Sequence, residues 1–224
     1  MRRRSTERSE PLSTPDYGLI VYNVLTAPDK TGNNRIIVNF NMQEDKLLIE
    51  QFKDPATKER AYTAIIKKYQ ERLYWHIRRL LVEHEDTNDV MQNVFIKVWN
   101  ALENFREDSQ LYTWLYRIAT NESLTFIDQR KRKSADYSLS DVEGALENKI
   151  RADRNFDANK LEWKLQLAIQ QLPEKQRVVF TLRYYDEMPY EEMSRVLETS
   201  EGSLKASYHH AAKKIEDYIL KNSE

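Results

Sequence analysis

Between Leu111 and Lys133 the chain reads LYTWLYRIATNESLTFIDQRKRK. Tyr112, Trp114 and Tyr116 place three aromatic rings within one short run, and Arg130, Lys131, Arg132 and Lys133 follow as four consecutive cations. Flat rings stack on unpaired bases, each stack contributing ~1–3 kcal/mol in single-strand binders. Cations hold phosphates without reading sequence. The competing reading is a core helix with a charged end. Leu111, Trp114, Leu115, Ile118 and Ala119 share one helical face, and cations at a helix C-terminus also suit its dipole.

Covalent chemistry finds few residues to work with. The chain has no cysteine, which excludes disulfides, thiolate metal sites and cysteine nucleophiles. His209 and His210 are adjacent, so on a helix they diverge by about 100 degrees, unlike the i,i+4 pairs that share a metal. No glycine loop for phosphates and no HExxH occurs, and Glu191-Glu192 reads as a helix first turn, where acids suit the dipole. We therefore expect no enzyme, no metal and no cofactor. A helical hydrolase or nuclease would need a metal-ligand cluster that the sequence does not offer.

The elements that carry these residues are helical. The 224 residues are 40% hydrophobic and 32% charged, with 4 Gly and 6 Pro and no proline between Pro55 and Pro173, a gap that long helices permit and turn-rich β folds do not. The absence of cysteine favours a reducing, cytoplasmic location. A net charge of −1 is not that of a free-standing DNA binder, which carries a basic excess; any nucleic-acid contact must use local patches and help from a partner. No stretch approaches the ~20 apolar residues of a membrane span, so no direct membrane insertion is expected. GLIVYNVLTA (Gly18–Ala27) is a poor signal peptide, being interrupted by Tyr22 and Asn23 and separated from Arg2–Arg4 by Pro11 and Pro15.

Met42 opens the first helical pattern, MQEDKLLIEQF, and a native start there is one reading of the preceding segment. Residues 1–45 read as an extension without stable structure. Residues 46–133 read as one helical domain: Leu47, Leu48 and Phe52, then Ala61, Ile65, Ile66 and Tyr69, then Leu73, Ile77, Leu80 and Leu81 recur at helical spacing. DVMQNVFIKVWNAL (Asp89–Leu102) buries Val90, Met91, Val94, Val98 and Leu102 by the same rule. Residues 134–158, rich in Ser, Asp and Asn, read as a flexible linker. Residues 159–222 form a second domain, with Leu161, Leu165, Ala168, Ile169 and Leu172 as a stripe ended by Pro173. Its close, PYEEMSRVLETSEGSLKASYHH, is a helix, a tight break at Glu198–Ser200 and a second helix, with Gly202 just past the turn. That is a helix-turn-helix pattern. The expected fold is all-α: two small helical domains, the C-terminal one a helix-turn-helix.

Read together, these stretches resemble the extracytoplasmic-function (group IV) sigma factors of bacterial RNA polymerase. DVMQNVFIKVWNALENFRED is similar to the family's regions 2.1–2.2, and SQLYTWLYRIATNESLTFIDQRKRK to regions 2.3–2.4. LQLAIQQLPEKQRVVFTLRYYDEMPYEEMSRVLETSEGSLKASYHHAAKKI is similar to region 4. The resemblance spans roughly residues 46–220 and lacks the extra domain that housekeeping members insert. It implies an alternative sigma factor that binds core polymerase, opens the −10 element and reads the −35 element.

The resemblance also implies roles for particular residues. Asp89, Gln92, Asn93, Phe95, Ile96 and Trp99 would grip the clamp of the β′ subunit, with the β flap a second contact. Phe105, Arg106 and Ser109, in the loop FREDSQ, would capture a flipped −10 base. Tyr112, Trp114, Tyr116, Arg117 and Asn121 would meet the opened strand, and Arg130–Lys133 its phosphates. Ser203, Lys205, Ala206, His209, His210 and Lys213 would face the −35 major groove. Primary sigma factors carry an aromatic pair where this chain has Trp114-Leu115, which implies weaker melting. Asn93 stands where many members have Glu, and Ser207, His210 and Ala212 where many have Arg. An anti-sigma factor, often membrane-bound in relatives, is a further partner. The rival is a helix-turn-helix repressor or response-regulator output domain that grips duplex DNA without polymerase.

Overall fold

The computed structural model describes residues 33–133 and 160–222, with side chains over 42–132 and 164–222. The expected linker, 134–158, lies outside the described residues. The chain divides into two units, Met1–Asn39 and Phe40–Glu224, and everything below concerns the second.

Eight α-helices and one 3-10 turn make up the described residues: α1 (Asn33–Lys53), α2 (Lys58–Leu81), α3 (His84–Ala101), the 3-10 turn Leu102–Asn104, α4 (Leu111–Lys133), α5 (Lys160–Gln170), α6 (Glu174–Tyr184), α7 (Tyr190–Leu197) and α8 (Glu201–Lys221). The fold is all-α, with the helices in two sets, α1–α4 and α5–α8.

The four-residue spacing of Ala61, Ile65, Tyr69, Leu73 and Ile77 keeps one face of α2 against the core, and all five are buried. Against it pack Ile49 and Phe52 of α1, Val90, Val94 and Val98 of α3, and Leu111, Leu115 and Ala119 of α4. The turn from α2 to α3 passes through Val82 at φ 71°, a backbone region that a β-branched residue rarely enters; its N–H closes α2 on the Arg78 carbonyl.

The expected extension up to residue 45 is corrected in its last part, because α1 is already formed there. Asp45 is buried and accepts hydrogen bonds from the Tyr69 hydroxyl at 2.6 Å and the Lys68 ammonium at 2.7 Å. Burial alone would lower the Lys68 pKa, but the bonds and charges of Asp45 and Glu44 outweigh it and raise the value. An acid in a polar stretch carries no hydrophobic period, so the pattern gave no sign of this anchor.

In the second set, Pro173 and Pro189 precede α6 and α7 as their caps. Ala168, Ile169, Leu172, Phe180, Ala211 and Ile215 form a core of their own. The opposite side of the set packs elsewhere. Val178, Val179 and Leu182 of α6, Met188, Met193 and Val196 around α7, and Leu204 of α8 join the core formed by α2, α3 and α4. The two helical sets are therefore docked through one continuous apolar core.

Candidate nucleic-acid interface

The helix-turn-helix is built as its sequence demands, with one change. The turn after α7 needs a left-handed residue, and Glu198 supplies it at φ 51°. Gly202 lies inside the first turn of α8, exposed, with nothing near the position a Cβ would take; its freedom is not what makes the turn. Ser200 caps α8, its hydroxyl accepting the Ser203 N–H. Leu204, Ala211 and Ile215 face inward and are buried. Ser203, Lys205, Ala206, His209, His210 and Lys213 are all exposed on the opposite side, so all six expected −35 residues share the free face of one helix. Lys205 is held by Glu201 at 3.2 Å and lies 5.5 Å from the Tyr190 ring centre. The His209 and His210 rings sit 6.1 Å apart and tilted by 60°. Among the described residues no group of three or more His, Cys, Asp or Glu is placed to hold a metal.

The opening stretch is α4, and its rings have different surroundings. Trp114 is half-buried, packed 5.2 Å from the buried Phe105 ring, which pins the start of the FREDSQ loop. Arg106, Glu107 and Asp108 are exposed there, with Glu107 left-handed at φ 60°. Tyr112 is half-buried and edge-on to Tyr116; burial, then the Glu192 charge, raises its pKa. The expectation that Tyr116 projects toward bases is corrected: it is buried against His76, 5.0 Å between ring centres, and its hydroxyl donates to Asp186 at 3.3 Å. His76 lies on α2 and Asp186 in the other helical set, so the period of α4 alone could not reveal either partner.

The cations of α4 are engaged as well. Arg117 pairs with Glu198 at 2.9 Å, and Lys131 pairs with Glu174. Arg130 bridges Glu83 at 2.7 Å and Asp86 at 2.8 Å. Asn121 and Arg132 are exposed, and Lys133 ends the helix. A cleft of about 320 Å³ is lined by Asp108, Ser109, Trp114 and Arg117 on one side and Ser194, Arg195 and Glu198 on the other.

On α3, Asp89, Gln92, Asn93 and Ile96 are exposed, Ile96 to 59%. Phe95 is half-buried, and its carbonyl accepts the Tyr62 hydroxyl at 2.6 Å. Burial pushes the Tyr62 pKa up to about 12. Trp99 also turns partly inward, edge-on to Phe52 at 5.4 Å and Tyr62 at 4.9 Å. The exposed polar face and Ile96 are brought together as a surface; Trp99 supports it from below.

Sequence reasoning missed a polar cluster where the helical sets meet. His76 is fully buried, with Nδ1 2.7 Å from the Asp186 carboxylate and Nε2 2.9 Å from the Thr120 hydroxyl. A carboxylate only accepts, so Nδ1 carries the proton and, in the neutral ring, Nε2 accepts from Thr120. The order of groups is that of a nucleophile triad, but Thr120 is 0% exposed and no substrate can reach it. Arg79 lies 3.6 Å from the same carboxylate. Nearby, the buried Thr113 hydroxyl donates to Glu192, which also accepts from Arg195 at 2.8 Å. Glu191 is exposed, as a first-turn acid should be, but Glu192 is buried. The available signal was His76 lying inside the stripe Leu73, Ile77, Leu80.

Comparison with known proteins gives this geometry a family. The Sigma-70 region 2 model matches residues 65–133, and Sigma-70, region 4 matches residues 162–215. The RNA polymerase sigma-H factor of Pseudomonas aeruginosa is 32% identical over 181 residues, covering 78% of this chain and 93% of its own. The ECF RNA polymerase sigma-E factor of Escherichia coli K12 is 30% identical over 182 residues, 78% and 94% of the two chains. The chain belongs to the extracytoplasmic-function sigma factors. As an alternative sigma factor it directs promoter-specific transcription initiation. The fold of this sigma factor matches CnrH, solved in complex with the cytosolic domain of CnrY, with a TM-score of 0.59 at 21% identity over 80% of this chain and 99% of that one. It also matches the sigma factor RpoE of Bartonella quintana, solved with the anti-sigma factor NepR, with a TM-score of 0.57 at 17% identity, covering 72% and 98%. Among the described residues no helix of the sigma factor is long and apolar enough to cross a membrane.

Proposed function

We propose that this sigma factor divides its work between the two helical sets, with residues 46–133 acting as region 2, 134–158 as the linker and 159–222 as region 4. The observation that carries the reading is the exposed face of α8, where Ser203, Lys205, Ala206, His209, His210 and Lys213 stand together on a capped helix. A helix presented this way enters the major groove, where Lys donates to guanine O6 and N7 and Ala meets the thymine methyl. α8 thus reads the −35 element. Asp89, Gln92, Asn93 and Ile96 on α3 grip the β′ clamp, with Phe95 and Trp99 backing them, and region 4 meets the β flap.

The −10 element falls to α4 and the loop before it: Phe105, Arg106 and Ser109 for a flipped base, Tyr112, Trp114, Arg117 and Asn121 for the opened strand, and Arg130–Lys133 for phosphates. Tyr116 supports this surface from within. The protein works in the cytoplasm, contributes binding energy and no covalent chemistry, and needs no metal or cofactor. An anti-sigma factor is a partner, a reading supported by neighbours solved with CnrY and NepR.

Run-off transcription from genomic fragments with core polymerase tests the proposal. Discrete start sites that depend on this protein are expected, and they deliver the promoter sequence. Footprinting of duplex DNA by the protein alone, with no core binding and no new start sites, would replace it with the repressor reading.

A further inference from the structure

Lys205 carries its charge on a flexible four-carbon stem, and a fixed aromatic ring lies beside it. Tyr190, the first residue of α7, is half-buried and packs against the main apolar core. Two cations lie over its ring, the Lys205 ammonium 5.5 Å from the ring centre and the Arg183 guanidinium at 5.2 Å. Arg183 is itself tied down, donating to the Met188 carbonyl at 3.2 Å. Pro189 caps α7 immediately before the ring, with φ at −62°, an angle its pyrrolidine ring enforces. Packing, an anchored guanidinium and a stiff preceding residue thus hold Tyr190, whereas Lys205 is exposed.

We propose that Tyr190 is a positioning residue for −35 reading: its ring holds the Lys205 ammonium in the pose that meets a base edge and so sets base preference at one position. The inference rests on the assignment of α8 to the −35 groove. Its physical basis is a count of donors. An ammonium has three N–H groups. Glu201 takes one, at 3.2 Å. The ring attracts the charge through its quadrupole and consumes none of them, so two remain for guanine O6 and N7. A second carboxylate in the ring's place would leave the lysine a donor short.

The two partners of Lys205 also differ in what they fix. Glu201 is on α8 itself, and an exposed i,i+4 pair holds its members weakly. Tyr190 is on the preceding helix, so its contact crosses the turn and orients the lysine against the rest of the helix-turn-helix. A cation–π contact at an exposed site favours one pose by about two- to fivefold. That ratio is the loss of base preference expected when the attraction is removed.

The experiment is run-off transcription with core polymerase and the full chain across single-base variants of the −35 element. K205A first identifies the position that Lys205 reads. Y190L keeps apolar bulk but removes the quadrupole, and is expected to lower preference at that position by about two- to fivefold while leaving the other positions as they are. Y190F keeps the ring and should restore the wild-type preference. Tyr190→pentafluorophenylalanine keeps the ring's outline and reverses its quadrupole, so it should lose at least as much as Y190L, and it answers the question even where Y190L does not fold. In a K205A background none of these changes should add to the loss at that position. A uniform loss at every −35 position would overturn the proposal. So would a loss in Y190F equal to that in Y190L, which would put the hydroxyl on a phosphate. If wild type gives no run-off, or K205A shifts no position, the −35 assignment of Lys205 falls. If K205A shifts one position and the fluorinated variant keeps full preference there, only the part given to Tyr190 falls.

Discussion

The Ser200 hydroxyl accepts the backbone N–H of Ser203 at 3.3 Å, so the residue that caps α8 also fixes the first residue expected in the −35 groove. Removing the cap frees a donor at the helix end and costs about 1 kcal/mol. S200A should lower the urea midpoint by that amount and reduce run-off from the cognate promoter, while S200D restores both. A stable S200A with full −35 activity would show that the cap does not set the pose of α8.

Lys205 stands exposed on the free face of α8, steadied by Glu201 and the Tyr190 ring. A side chain that reads a guanine edge contributes about 1–3 kcal/mol of discrimination. K205A should therefore relax base preference at one −35 position and leave folding within ~0.5 kcal/mol, as surface changes do. Run-off across a set of single-base −35 variants measures it. A uniform loss at every variant would reassign Lys205 to phosphate contact.

Ile96 is 59% exposed among polar neighbours on α3. An apolar side chain in that setting suits a partner groove, and I96D places an uncompensated charge there. We expect core polymerase binding to fall at least tenfold with no change in melting. Co-elution with core reads the first and thermal denaturation the second.

Leu182 is fully buried in the core shared by both helical sets. Truncation to Ala should cost about 2–5 kcal/mol. Because the residue belongs to α6 but packs with α2–α4, the loss should appear in both sets. Hydrogen exchange is expected to rise in α4 as well as α6; a rise confined to α5–α8 would mean that the sets fold separately.

Burial, and then the Asp186 charge, hold the Tyr116 pKa well above its ordinary value. In the unfolded chain the phenol titrates near 10. The folded state then keeps a proton that the unfolded state releases, so stability is complete below pH ~10 and falls as pH rises beyond it. Tyr69, raised chiefly by burial, adds in the same direction. Y116F should make the alkaline decline of the urea midpoint shallower, by up to ~1.4 kcal/mol per pH unit. An unchanged slope would remove Tyr116 from that transition.

How far the sequence discloses this molecule depends on the range of the forces involved. The inward Leu204 and Ala211 and the outward Ser203, Lys205 and His209 were legible because a helix repeats every 3.6 residues and each turn records which side is wet. The break at Glu198–Ser200 was legible, with Gly202 just past it, but that Glu198 takes the left-handed backbone was not. Tyr116 was misplaced because its partner, Asp186, is 70 residues away. The His76–Asp186 pair spans 110 residues, and a buried polar pair leaves no period in either segment. The start of α1 was hidden for the same reason, its anchor being the Asp45–Tyr69 hydrogen bond.

Arg130 opens the run of four cations at the end of α4, yet two carboxylates of the same helical set already hold its guanidinium. A phosphate that approaches Arg130 must displace Glu83 and Asp86 from it, so although the phosphate sheds its condensed counterion, the two freed carboxylates take up cations and the net ion release is smaller. Promoter binding measured against salt should then fall less steeply than a tally of basic residues implies, since each fully released ion would add about 0.9 to the slope. If Arg130 takes the phosphate contact proposed for it, this sigma factor loses less of its promoter grip to rising ionic strength than its cation count implies.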